Sequence, residues 1–167
     1  MLHHVSGDIL LSDSDAIAHG VAPDDHFENG LAFALRERWP AMYKDFRHYC
    51  HTRHPKPGGL WTWGGPEGVR VVNLLTQEPP SGHHHTGHPG PAKVKHVNHA
   101  LKALAKLIKK EGWKSVALPR IATGVGHLDW DDVHPLIESH LGSLDADIYV
   151  YEVFHAGEQA DESAAES

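Results

Sequence analysis

Apolar and polar positions along this chain fall into short blocks whose period switches between that of a strand and that of a helix. Apolar runs at residues 2–5, 15–19, 60–63, 69–75, 115–118 and 148–154 are bounded by Gly, Pro, Ser and Asp, which predicts six strands. Helical spacing over residues 30–39, 41–49, 94–110 and 131–141 predicts four helices. In the third, Val97, Leu101, Leu104, Ala105 and Ile108 recur on one face with lysines opposite. The fourth opens with Asp131 and Asp132, which suit the positive end of a helix dipole. Strands alternating with helices predict an α/β fold with a mostly parallel sheet covered on both faces, and ligands at the carboxyl ends of the strands. Two stretches break the pattern, residues 50–59 and residues 77–91, and the second has the length of loops that border a site.

The chain's most informative stretch follows the fifth predicted strand: Pro119-Arg120-Ile121-Ala122-Thr123-Gly124-Val125-Gly126-His127-Leu128-Asp129-Trp130, leading into a helix near Asp131. A Gly-punctuated loop between a strand and a helix N-terminus presents free backbone N–H groups around a concavity of partial positive charge. A phosphate ester or diphosphate is the expected ligand, wrapped by the amides of Thr123, Gly124, Val125 and Gly126. His127 stands beside them as a donor or proton shuttle near neutral pH. The same turn also arises in α/β proteins simply to pack a helix on a sheet.

Composition narrows the ligand further. At 167 residues the chain makes one domain around one core, and a net charge of −7 argues against holding long nucleic acid by phosphate neutralisation. A single cysteine, Cys50, leaves no internal disulfide; no apolar run approaches a membrane span and no secretion signal is recognisable, so a cytoplasmic protein is expected. Residues 1–155 read as the domain and residues 156–167, rich in Ala, Glu, Ser and Asp, as a disordered acidic tail. His83, His84, His85 and His88 suggest zinc only weakly, since consecutive histidines cannot all face one tetrahedral centre, and a polar lid is the expectation. Neither a metal nor a cofactor is expected.

Four motifs in register resemble the macrodomain family: Val5-Ser6-Gly7-Asp8-Ile9-Leu10, Asp15-Ala16-Ile17-Ala18-His19-Gly20-Val21, Asn29-Gly30-Leu31-Ala32-Phe33-Ala34-Leu35 and the Pro119 to Trp130 loop. The resemblance covers roughly residues 2–154 and implies a three-layer αβα sandwich with a mixed sheet, binding ADP-ribose or ADP-ribosylated protein or nucleic acid as a monomer. It implies Asp8 and Ile9 at the adenine, Phe154 stacked on it with Tyr151 in the core, and Gly30 and Leu31 at the distal ribose or diphosphate. It also implies hydrolysis of ADP-ribosyl bonds. Two departures stand out. Loop one, Gly20-Val21-Ala22-Pro23-Asp24-Asp25-His26, keeps one glycine before the helix but offers Asp24, Asp25 and His26 as proton carriers. Gln77 stands where the branch acting on DNA bases or acidic side chains places a lysine near the strand end, and Gly126 where some members place an aspartate. An amide nitrogen is not nucleophilic, so an activated water is expected in place of a covalent lysine adduct. A non-catalytic reader, and a hydrolase of ADP-ribose-1″-phosphate or O-acetyl-ADP-ribose, are the alternatives.

Overall fold

A computed structural model describes residues 1–80 and 89–163. Its six strands are β1 (Leu2–Gly7), β2 (Ala16–Val21), β3 (Leu60–Gly64), β4 (Arg70–Leu75), β5 (Ser115–Pro119) and β6 (Asp147–Phe154). Its four helices are α1 (Gly30–Arg38), α2 (Pro40–Arg53), α3 (Val94–Glu111) and α4 (Trp130–Leu141). Each element predicted from periodicity is present. The strands form one sheet in the order β1-β6-β5-β2-β4-β3, parallel except where β3 pairs with β4. This is the mixed, mostly parallel sheet of an αβα sandwich.

Residue alternation along the central strand explains the layers. Ala16 and Ala18 of β2 point into a core formed with α3 and α4, where Val97, Leu101, Leu104, Ile108, Val133 and Ile137 are buried. Val21 points to the opposite face, into a core with Leu35 of α1 and Met42 and Phe46 of α2. A smaller cluster, Ile9, Ile17, Ala117, Tyr149, Tyr151 and Ala160, completes that face. Burying sheet residues on both sides removes the choice of register, because a slip of one position would exchange the two cores.

Composition predicts a free tail from residue 156, but its described part is tied to the domain as far as Glu162. Ala160 is buried, and the Glu162 carboxylate accepts hydrogen bonds from the hydroxyls of Ser12, Ser14 and Tyr151. Burial and this carboxylate push the Tyr151 hydroxyl above its ordinary titration range. Gly7, at φ +153°, is where the segment crosses β1: a Cβ there would lie 2.8 Å from the Ala160 nitrogen. Small residues with polar side chains carry no periodicity, so this docking is invisible in the pattern. The histidines at 83, 84, 85 and 88 lie outside the described residues.

Candidate functional site

The chain passes from β2 through β3 and β4 on one side of the sheet and returns to β5 on the other, so the strand order reverses between β2 and β5. A crevice opens at the carboxyl ends of strands at such a point. Two cavities occupy it here. One, of about 230 Å³, is lined by His19 and Gly20 at the end of β2, Asp25, Asn29 to Ala32 at the start of α1, Gln77 and Pro89, and Pro119 to Gly126 apart from Thr123. The other, of about 440 Å³, is apolar and lined by Gly7, Ile9, Leu10, Ala34, Tyr151 and Phe154. Gly30, Leu31 and Pro119 line both, so the two form one bent cleft.

The wall after β5 is held by its own hydrogen bonds. Leu128 N–H donates to Ala122 O at 2.9 Å, His127 N–H to Gly124 O at 3.1 Å and the Thr123 hydroxyl to Arg120 O at 2.7 Å. Ala122 and His127 take left-handed conformations, φ 65° and 64°, to make the bend. The amides of Thr123, Gly124, Val125 and Gly126, by contrast, donate to no described residue. Three of these residues, Gly124, Val125 and Gly126, line the cavity, and successive unpaired N–H groups at a concave wall call for an acceptor from outside the chain. Across the same cavity α1 begins at Gly30, whose φ of +58° favours glycine, and Gly30, Leu31 and Ala32 of its first turn line that space.

The expected residues separate on inspection. Gly30, Leu31, Gly124, Val125 and Gly126 line the diphosphate-sized cavity, and Ile9 and Phe154 the apolar one, where Phe154 is 66% exposed and open to stacking. Tyr151 is buried. Thr123 and His127 line neither cavity, and the His127 amide is already bound to Gly124. Asp8 also lies outside both linings: it caps a short turn, accepting from Leu10 N–H at 3.0 Å, and its other oxygen accepts from Gly157 N–H. Of the three loop-one candidates, only Asp25 reaches the cleft. Its oxygens accept from Ala22 N–H at 3.1 Å and Phe27 N–H at 2.9 Å, so it shapes the loop, while burial raises its pKa against the lowering effect of those bonds. Asp24 is exposed, and His26 faces Glu28 at 3.9 Å; neither lines the cleft.

Sequence reasoning passes over one residue at the cleft floor. His19 of β2 sits in register with Asn73 of β4, and its Nε2 lies 2.6 Å from Asn73 Oδ1. Asn73 Nδ2 donates to Trp61 O at 3.3 Å, which turns the amide oxygen toward the imidazole and makes Nε2 the protonated nitrogen. Phe27 packs edge-on against the ring. Burial lowers the His19 pKa to about 4, only partly opposed by the Asn73 bond, so the ring is neutral at physiological pH. A histidine closing the otherwise apolar run Ala16-Ile17-Ala18 is the one signal that marks it in the sequence. Gln77, also buried in the cleft, donates from Nε2 to Gly90 O at 3.1 Å. Among the described residues no group of three or more His, Cys, Asp or Glu is placed to hold a metal, and no helix is long and apolar enough to cross a membrane.

Comparison with known proteins bears on this cleft directly. The Macro domain family matches residues 77–137, the segment carrying Gln77 and the loop after β5. A DNA ADP-ribosyl glycohydrolase of Mycobacterium tuberculosis is 26% identical over 155 residues, 90% of this chain. The chain spans 42% of that relative's length. The solved macrodomain of Thermus aquaticus DarG superposes with a TM-score of 0.78 at 25% identity, covering 91% of this chain and 98% of that one. Thermosipho africanus DarTG, solved in complex with ADP-ribose, shares the fold with a TM-score of 0.79 at 21% identity over 95% of this chain and 42% of its own. With the six-stranded mixed sheet and the amide-lined cleft in place, these likenesses show that the chain has the macrodomain fold.

Proposed function

We propose that the protein binds ADP-ribose and hydrolyses the bond joining it to a modified macromolecule, with ADP-ribosylated DNA the first substrate to test. One observation carries the binding half of this reading: Gly124, Val125 and Gly126, whose amides are unpaired, border a cavity that continues into an apolar one closed by Ile9, Tyr151 and Phe154. A diphosphate suits the amides, a purine ring suits the exposed face of Phe154, and the distal ribose then lies toward His19, Asp25 and Gln77. The hydrolytic half is supported by the likeness to DNA ADP-ribosyl glycohydrolases. We further propose a cytoplasmic monomer, supported by the single buried cysteine Cys50, which needs no oxidising compartment.

A calorimetric titration with ADP-ribose, run beside an assay of ADP-ribose release from an ADP-ribosylated DNA oligonucleotide and from mono-ADP-ribosylated protein, tests both halves. Micromolar binding, about −8 kcal/mol, with release from either substrate is the expected result. Gln77 favours the reader as second reading, because its side chain is bonded to Gly90 and supplies no amine. Binding without release from either substrate decides for that reader.

A further inference from the structure

We propose that His19 is the proton acceptor for the hydrolytic water, held by Asn73 so that Nδ1 offers a lone pair to the cleft; this rests on the hydrolase reading above. His19 is 2% exposed and lines the cavity that receives the distal ribose. Its Nε2 is committed to Asn73, and Asn73 is itself oriented by Trp61. No described residue bonds Nδ1, yet among the described residues the sealed, unpartnered side-chain polar atoms are Thr76 Oγ1 and His134 Nε2, and Nδ1 is not one of them.

A neutral imidazole whose one N–H is tied down can only accept at its other nitrogen. A water hydrogen-bonded to Nδ1 keeps a lone pair for C1″ of the distal ribose. Its oxygen bonds to C1″ as the bond from C1″ to the macromolecule breaks, the electron pair leaving with the departing atom. The water's proton passes to Nδ1 and on to solvent, and the departing group takes a proton from solvent. Among the described residues, the charged or titratable groups around the ring are Asp25 on loop one, Arg120 on the loop after β5 and, behind Phe27, Tyr43 on α2, while β4 contributes neutral Asn73. Asp25 is bound to two amides and has less freedom to accept the proton.

Two variants test the assignment, with ADP-ribose affinity, thermal melting and release from the ADP-ribosylated oligonucleotide measured on each. His19→Phe fills the space without an acceptor: ADP-ribose affinity is expected to stay within about threefold while release falls by roughly two orders of magnitude, the scale of general-base catalysis. Asn73→Asp places a carboxylate on Nε2, favours the charged ring and so turns Nδ1 into a donor at low pH. Its release-against-pH profile is expected to move its acid limb upward relative to the unaltered protein. Should His19→Phe not fold, the Asn73→Asp profile decides alone. Release unchanged in His19→Phe, or superimposable profiles, overturns the role of His19 and leaves the hydrolase reading standing. An unaltered protein that binds ADP-ribose but releases nothing overturns both.

Discussion

The carboxylate of Asp8 accepts the backbone amide of Gly157 at 3.0 Å, joining the turn after β1 to a segment 149 residues further along the chain. The contact is reinforced on either side: Asp8 N–H donates to Glu158 O at 2.7 Å, and Ala160 packs where Gly7 leaves room. Residues 157–162 therefore brace the rim that carries Ile9 and Phe154. Asp8→Ala removes a buried acceptor from two amides, and a loss of about 1–3 kcal/mol in stability is expected, read as a lower melting temperature. ADP-ribose affinity should fall as well, because the rim loosens. An unshifted melting curve would show that the carboxylate braces nothing.

Glycines 124 and 126 stand two residues apart in the same loop and answer to different constraints. A Cβ on Gly124 meets nothing within 4 Å, whereas one on Gly126 would lie 2.6 Å from Ala122 O and 2.8 Å from Ala92 Cβ. Gly124→Glu is expected to abolish ADP-ribose binding by bringing a negative charge to the phosphate cradle, with melting unchanged. Gly126→Ala should instead destabilise the loop by about 1–3 kcal/mol, the range for overpacking. Calorimetry and thermal melting on both separate the effects, and undiminished affinity in Gly124→Glu would remove the diphosphate from this wall.

Strands and helices are legible in this chain because burial on two faces of a sheet writes its period into the residues. In α3 the buried set Val97, Leu101, Leu104 and Ile108 follows helical spacing, and Gly112 stops the helix in a left-handed cap. The amide-lined wall after β5 is legible for a related reason: unpaired amides need glycines and a following helix, and both have sequence signatures. The floor of the cleft is not. His19 and Asn73 are 54 residues apart and meet only through the register of β2 on β4. Nor does the string Asp24-Asp25-His26 reveal which side chain turns inward, since that follows from left-handed backbone at Asp24 and Phe27, φ 60° and 54°.

That turn yields a third prediction. Asp24 is exposed and offers its amide, not its carboxylate, to a described partner, the Cys50 sulfur at 3.4 Å. Asn tolerates a left-handed backbone, so Asp24→Asn should leave stability within about 0.5 kcal/mol and release within twofold. In Asp25→Asn one of the two accepted amides must face an NH2 group, leaving a buried donor unpaired at a cost of about 1–3 kcal/mol. Loop one then loses its shape, and release and melting fall together. A variant at Asp25 that melts normally yet is inactive would instead give its carboxylate a direct chemical part.

The last prediction concerns acid. His19 titrates near its ordinary pKa of 6.5 in the unfolded chain but at about 4 in the folded one, because burial disfavours the charged ring. Between those values the unfolded chain binds the extra proton, so stability falls as pH is lowered through this window and the loss levels off below about 4. That difference corresponds to roughly 3 kcal/mol, a large part of a domain's stability. Urea melts from pH 7 to pH 4 should show this slope, and His19→Phe, which has no proton to take up at this position, should lose it. Equal slopes in the two proteins would mean that the imidazole is wetter or better paired than its seat between Phe27 and Asn73 implies, and the lone pair at the cleft floor would go with it.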